Sequence, residues 1–379
     1  MSHAPTENLS RRHAAVRAAL AARGLDALVV VSLPNILYLT NFGGSAAIVV
    51  LTPTRLFFIT DFRYVAAIDA TRGTPSECAG LELVRVDSSY DETLAASLGA
   101  MTGARVGFEA AHLTVGRHRW LESKLRAAGQ TAPILVPTEG IVEAGRVRKD
   151  AYEIATLREA ARRLSAVVPG AFEEVRRGRR ERDVALAIDW RIRDAGFERS
   201  AFDTIVASGP NAALPHARPG ERILNEGDVV VLDFGGVYDS YCVDLTRTVA
   251  IGPASARVRE IHAAVREAHD RAIEAVAPGR SRFDIDAAAR RTLEGRGLGE
   301  AFGHGTGHGL GIEVHEDPRV SRRRTDESGD PAVAPGMVFT IEPGAYLPGF
   351  GGVRIEDDVL VTESGVDVLT DATTELVAL

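Results

Sequence analysis

Lysine is nearly missing from this chain: of its 44 basic residues only Lys124 and Lys149 are lysine, a bias with no functional account. Cysteine is as scarce. Cys78 and Cys242 cannot build a disulfide framework in 379 residues, and they read as buried free thiols of a reducing compartment. Long hydrophobic runs are absent too. The longest, Ala27–Val31 and Ala46–Leu51, fall far short of a bilayer span, and Met1–Arg12 contains no apolar stretch of a secretory signal. The expectation is a soluble, cytoplasmic protein with no membrane partner. Positive charge is not in excess either: 44 Lys+Arg against 52 Asp+Glu leave a net charge of -8. A nucleic-acid partner, which needs a basic surface to displace counterions, is therefore not expected.

What remains is ordinary globular composition, 45% hydrophobic and 25% charged, in a chain long enough for two or three domains. No fixed-period repeat and no low-complexity linker interrupts it. The first 140 residues alternate helices and strands. Helical spacing covers Leu9–Ala22, Asp91–Leu98 and Val115–Ala127. Strands are read at Ala27–Val31, Ala46–Leu51, Arg55–Thr60, Leu81–Asp87 and Val106–Glu109, and Asp61 reads as the N-cap of a helix reaching Ala70. Such alternation favours an α/β layer architecture.

Glu139–Lys149 reads as a charged link, and the domain boundary is placed close to residue 145. Beyond it, Asp150 reads as an N-cap, followed by an apolar stripe of Ile154, Leu157, Ala161, Leu164 and Val168. A second helix is expected over Glu181–Ala195, and further helices near Ser255–Val276 and Arg282–Arg296, within a region otherwise dominated by strands. The arginine clusters Arg176–Arg182 and Arg322–Arg324 are interleaved with or flanked by acids, including Glu181, Asp326 and Glu327. They read as a solvated helix face and a solvated loop.

Three segments carry chemistry. Val229–Leu232 is a β-branched and aliphatic run that delivers Asp233 into Phe-Gly-Gly, and a second strand, Tyr241–Val249, contains Asp244. A hairpin turning on Tyr238-Asp239 would set the two aspartates directly opposite, about 5 Å apart at Cβ. Carboxylates that close repel unless they share a proton or a cation; alternatively one caps the turn while the other lies in solvent. Next, Gly303–Gly311 places His304 and His308 in a glycine frame, with His315 shortly after. The frame fits neither the dinucleotide fingerprint nor a phosphate-binding P-loop, but it leaves the imidazoles room to project. Last, the strand Met337–Glu342 ends in Glu-Pro-Gly. After the loop Gly349–Gly352 another strand, Val353–Val361, contains Arg354 and Glu356. A glutamate buried in an apolar strand needs a partner, although an exposed edge would also accommodate Glu356.

Taken together, Asp233, Asp244, His308, Glu342 and Glu356 offer four carboxylates and one imidazole. Two divalent cations would neutralise them. Oxygen-rich ligation of this kind suits manganese, cobalt, iron or zinc, and a metal pair can acidify a water and polarise a carbonyl. The implied chemistry is metal-assisted amide hydrolysis.

These motifs resemble those of the pita-bread metallopeptidases, the family of aminopeptidase P, prolidase and methionine aminopeptidase. The resemblance rests on Val-Leu-Asp233-Phe-Gly-Gly, on Asp244 in Val-Asp-Leu-Thr-Arg and on Gly-His308-Gly-Leu-Gly-Ile-Glu-Val-His315-Glu-Asp-Pro. Thr-Ile-Glu342-Pro-Gly and Arg354-Ile-Glu356-Asp-Asp complete it. It implies an α/β creatinase-like domain over 1–145 and an α+β pita-bread catalytic domain over 146–379. The N-terminal domain and His304 are similar to the Xaa-Pro-cleaving branch.

By that resemblance Asp244 and Glu356 bridge two metal ions, manganese first among the candidates. Asp233 chelates one ion, and His308 and Glu342 bind the other. Glu342 is the implied proton shuttle. His216 is implied near the scissile bond and the proline pocket, and His315 at the tetrahedral intermediate. Arg354 and Tyr346 are implied as supporting residues around the substrate, and His304 as a pocket wall or a structural hydrogen-bond donor. The implied substrate is a proline-containing peptide. An Xaa-Pro bond, a tertiary amide without N–H, needs a dedicated pocket. Release of the first residue from peptides with proline second is expected, as in aminopeptidase P; the alternatives are a prolidase restricted to Xaa-Pro dipeptides and a metal-free binding scaffold. The resemblance also implies a homodimer in which the N-terminal domain helps close the neighbouring site.

Overall fold

The computed structural model describes residues 3–127, 132–323, 325, 329 and 332–379. Arg324, Asp326 and Glu327, part of the second arginine cluster and its flank, lie outside the described residues. The chain divides into two compact units between Arg146 and Val147.

In the first unit the elements run α1 (Thr6–Ala22), β1 (Ala27–Val30), α2 (Leu33–Thr40), β2 (Ile48–Leu51), β3 (Leu56–Thr60), α3 (Phe62–Asp69), β4 (Leu81–Arg85), α4 (Tyr90–Gly99), β5 (Arg105–Glu109), α5 (Val115–Ala127), β6 (Ile134–Thr138) and α6 (Glu143–Val147). One six-stranded mixed sheet, in the order β4-β3-β2-β1-β5-β6, organises them. Asp61 caps α3 by accepting from the Arg63 N–H, as its position before the helical run suggests. Three elements were not expected: α2, β6 and α6. The last replaces part of the charged link, and α2 starts beside Pro34, where a proline is tolerated.

In the second unit two long helices come first, α7 (Ala151–Glu174) and α8 (Glu181–Asp194), and then short strands β7 (Arg199–Ser200) and β8 (Ile205–Ser208). Asp150 and Glu153 form a capping box that starts α7. The hairpin β9 (Val229–Tyr238) and β10 (Tyr241–Ala250) follows, then α9 (Ala256–Glu274) and α10 (Arg282–Gly295). The remainder is β11 (Gly307–Gly309), β12 (Glu316–Val320), β13 (Val338–Ile341), β14 (Gly344–Leu347), β15 (Gly351–Arg354), β16 (Asp357–Val361), β17 (Val366–Val368) and β18 (Val377–Ala378). One sheet runs β18-β10-β9-β7 with β8 also on β9; another runs β12-β11-β13-β16-β17; β14 and β15 form a hairpin.

Strand alternation in β9 and β10 divides the core in two. Val230, Leu232 and Phe234 pack with Val243 and Leu245 against the α7 and α8 stripes. Val229 and Val231 face the other way, into a second core built from α9, α10 and strands β13, β15 and β16. Asp233 continues that second row. The alternation therefore dictates which side of the sheet carries the acids.

The hairpin register corrects the sequence expectation. Asp233 faces Thr246 and Asp244 faces Gly235, because the turn is Asp239-Ser240 and not Tyr238-Asp239. Both turn residues have positive φ, 48° and 69°, the geometry that matches the right-handed twist of paired strands. The slip is two residues, which preserves the face: the aspartates are diagonal neighbours on one side of the sheet. Two other strands are also shorter than expected. Glu342 stands just beyond β13, and the expected strand Val353–Val361 is broken between β15 and β16, leaving Glu356 in the break.

Candidate metal centre

Glu356 is placed by a break that still pairs. Its backbone forms an isolated bridge with Thr246 on β10, and its carboxylate accepts from Thr246 Oγ1 at 2.6 Å. Below it, Arg247 donates to the Glu356 carbonyl at 2.6 Å and to Asp357 Oδ1 at 2.7 Å, and His269 on α9 lies 3.0 Å from Asp357 Oδ2. Glu356 is 2% exposed, which removes the exposed-edge alternative. Asp244 is held from behind as well, its N–H donating to buried Asp358 at 3.0 Å.

His308 sits in β11, where Gly307 and Gly309 let the neighbouring strands approach closely. Its Nδ1 lies 3.2 Å from the Gly309 carbonyl; since a carbonyl only accepts, Nδ1 carries the proton and Nε2 keeps its lone pair. That lone pair points toward Glu342 Oε1 at 3.8 Å and Asp244 Oδ2 at 4.0 Å. Burial holds the His308 pKa down at about 4, so the imidazole is neutral at neutral pH.

Donor atoms of Asp244, His308 and Glu356 all lie within 4.8 Å of one another. Asp233 and Glu342 border the same cavity, but Asp233 is turned to Arg354, whose Nη2 donates to Oδ2 at 2.5 Å. Burial, then repulsion from Glu356, raises the Asp244 and Glu342 carboxyls well above their usual range. Burial, then Asp233, lifts Glu356 to about 7. The second oxygens of Asp233 and Asp244 are buried without a hydrogen-bond partner. Buried carboxylate oxygens with no donor, on side chains lining the same cavity as an imidazole lone pair, are the donor set a divalent cation satisfies.

A cavity of about 570 Å³ opens onto this cluster, with His216, His304 and His315 in its wall. His216 arrives on the loop after a 3₁₀ turn, Gly209–Ala213. His315 stacks edge-on against His308, ring centroids 4.3 Å apart. Nδ1 of His304 lies 2.8 Å from the Gly305 carbonyl, so Nε2 accepts from the Tyr346 hydroxyl at 2.9 Å. Tyr346 in turn accepts from Arg354 Nη1 at 2.8 Å. Tyr346 is thus buried behind His304 and Arg354, outside the cavity wall.

Sequence reasoning missed two guanidinium groups in that wall, Arg218 and Arg319. Each follows an identified histidine by two or four residues, and that spacing was the available signal. The Arg176–Arg182 expectation also needs correction. Its arginines pair with acids such as Glu174 and Asp183, but Glu181 is wholly buried and no part of a solvated face.

Among the described residues, no helix is long and apolar enough to cross a membrane. Residues 155–363 match the model of metallopeptidase family M24, and residues 12–148 match the creatinase/prolidase N-terminal domain. The chain is 42% identical over 238 residues to the Xaa-Pro dipeptidase of Pyrococcus furiosus, covering 63% of this chain and 67% of that one. Its structure is similar to the Xaa-Pro dipeptidase from Bacillus anthracis, with a TM-score of 0.90 and 36% identity over 98% of this chain and 100% of the other. It is also similar to the X-Pro aminopeptidase from Thermotoga maritima, with a TM-score of 0.84 and 31% identity over 94% and 98% of the two chains. With the family model covering more than half its length, this mixed α/β chain of creatinase-type N-terminal domain and pita-bread catalytic domain belongs to metallopeptidase family M24.

Proposed function

We propose that this metallopeptidase hydrolyses the amide bond preceding proline, with two divalent ions held by Asp233, Asp244, His308, Glu342 and Glu356. The observation that carries the reading is the convergence of Asp244, His308 and Glu356 within 4.8 Å at the floor of a cavity of peptide dimensions. These five side chains would hold the ions, four as carboxylate donors and His308 through its Nε2 lone pair. Divalent ions bound there supply Lewis acidity, acidifying a water and polarising the scissile carbonyl. Glu342, its carboxyl pushed up by burial and by Glu356, is the group suited to carry a proton to the leaving proline nitrogen. His216 and His315 reach the cavity from separate loops, as N–H donors for the oxygen that gains charge. Manganese is the first candidate ion, ahead of cobalt, zinc and iron.

Of the two length specificities, the dipeptidase reading has a specific observation behind it. Arg218 and Arg319 line the cavity, and a guanidinium pairs well with the free carboxylate of a terminal proline. The aminopeptidase reading is supported by the likeness to the Thermotoga enzyme. A cytoplasmic homodimer is the proposed working form, which sedimentation of the purified protein checks.

Steady-state hydrolysis of Xaa-Pro, Xaa-Pro-Yaa and Xaa-Pro amide, after reconstitution with manganese, decides between them. Turnover of the free dipeptide alone supports the first; turnover of the tripeptide supports the second. Well under one bound ion per chain with no hydrolysis of any of the three overturns the peptidase reading in favour of a scaffold. Asp244→Asn is expected to lose metal and most turnover while staying folded.

A further inference from the structure

Glu181, at the start of α8, is fully buried and lies outside the cavity wall. Its carboxylate sits at the neck of the 209–219 loop, which carries Pro215, His216 and Arg218 to that wall. Oε1 accepts from the N–H and the hydroxyl of Ser208, both at 2.7 Å. The Asn211 side-chain amide donates to both oxygens at 3.1 Å. On the other side of the neck the Gly220 N–H donates to Oε2 at 3.4 Å. One carboxylate therefore ties the two ends of the loop together.

The adjoining backbone strengthens the tie. Arg182 N–H donates to the Gly220 carbonyl at 3.2 Å and Glu181 N–H to the Arg222 carbonyl at 3.0 Å. Farther along the loop, Arg354 Nη1 donates to the Pro215 carbonyl at 3.2 Å. The exposed His216 side chain thus stands between a fixed neck and two anchors beside it, the Pro215 carbonyl and Ala217, which is buried in the second core.

Every partner of this carboxylate is a donor. A carboxylate accepts at all of its lone pairs, whereas a glutamine in its place turns an NH₂ toward the donors it must receive. Aspartate keeps the chemistry but falls one methylene short.

We propose that Glu181 is a positioning residue for peptide hydrolysis: it locks the neck of the 209–219 loop and so fixes His216 over the metal cluster. This rests on the Xaa-Pro peptidase reading and deepens it, because the locked loop forms one wall of the substrate site.

The test compares wild type, Glu181→Gln, and the swapped pair Glu181→Gln with Asn211→Asp, in which the new amide finds an acceptor. In Glu181→Gln, backbone amides of 209–219 should exchange hydrogen about tenfold faster while those of β9 hold. Bound metal should stay at the wild-type level, and kcat/KM on the preferred Xaa-Pro substrate should fall roughly tenfold to a hundredfold. The swapped pair should recover most of both losses. In a His216→Ala background, Glu181→Gln should cost less than about threefold more, since the loop then has little left to position.

Unchanged exchange in 209–219, or losses that multiply fully in the His216→Ala background, overturn the proposal. If Glu181→Gln does not fold, the swapped pair carries the same measurements, and its failure to hold the loop or the activity also overturns it. An absence of Xaa-Pro hydrolysis in the wild type sinks the peptidase reading instead, and the exchange measurement still decides whether Glu181 locks the loop.

Discussion

Arg354 and Asp233 form a buried ion pair at the edge of the carboxylate cluster, 2.5 Å between Nη2 and Oδ2, with side chains 4% and 12% exposed. The guanidinium also holds the Tyr346 hydroxyl and Thr246 Oγ1, so it braces three elements while compensating one of four clustered carboxylates. Removing it strands Asp233 among other acids. Arg354→Ala is expected to lower the stability of the metal-free protein by about 3–5 kcal/mol. Added manganese should return more of that stability in the variant than it adds to wild type, because the ion takes over compensation of Asp233. Denaturant titrations with chelator and with manganese measure this. An equal metal increment in both proteins would count against it.

The raised carboxyls imply a second outcome. Glu356 has a folded-state pKa near 7 against an ordinary 4.5, so in the metal-free protein it favours folding while protonated. That contribution is complete below pH 4.5 and is lost as pH rises through about 7. A bound cation needs the same group deprotonated, so metal binding must expel the proton. Manganese affinity should therefore weaken by up to about tenfold per pH unit below 7, for each proton released. Isothermal titration at several pH values in buffers of different ionisation enthalpy reads both affinity and proton release. A flat affinity between pH 5 and 7.5 would show that the cluster is already ionised.

Much of this site was legible because its signals are local. Asp61 and Asp150 precede helical runs, and each does cap its helix. Asp233, Asp244, Glu342 and Glu356 stand in or at the end of apolar runs and His308 in a glycine frame, and all five reach one cavity. The register of β9 on β10 was not legible, since Asp239-Ser240 lacks the glycine that usually marks such a turn. The even strand period rescued the conclusion, because a slip of two residues leaves both aspartates on the same face.

What escaped the sequence is non-local. Glu181 lies in a run of arginines and looked solvated, yet its partners are Ser208, Asn211 and Gly220, 27 to 39 positions away. The helix α2 begins Leu-Pro-Asn and is only eight residues long. Its Asn35 is held by Glu109, 74 residues on, so tertiary contact rather than propensity settles its state.

Gly307 offers a steric test of the His308 position. A Cβ on this residue would lie 1.8 Å from the Thr340 carbonyl oxygen, a backbone atom of the neighbouring β13. Nothing flexible can yield, so β11 has to move, and His308 moves with it. Gly307→Ala is expected to cost about 1–3 kcal/mol or more and to lose metal out of proportion to that loss of stability. Metal content of the folded fraction, set beside its melting temperature, checks both. Full metal occupancy in Gly307→Ala would mean that the His308 position tolerates strand displacement.

His262 gives an acid-sensitivity prediction away from the cluster. It lies in α9, 4% exposed, and burial, then Arg266, holds its pKa at about 4 against an ordinary 6.5. The folded state thus resists protonation where the unfolded chain accepts it. The stability this neutral ring contributes is complete above pH 6.5 and is lost as pH falls toward 4. Between pH 6.5 and 5 the loss through this one residue is about 2 kcal/mol. His262→Leu, similar in volume and unable to titrate, should remove that part of the acid dependence while His304 and His308 keep theirs. Urea unfolding of chelated wild type and variant at pH 7 and pH 5 isolates the difference. Parallel losses in the two proteins would show that His262 is protonated in the fold or relieved by local opening, and the burial argument for it would fail.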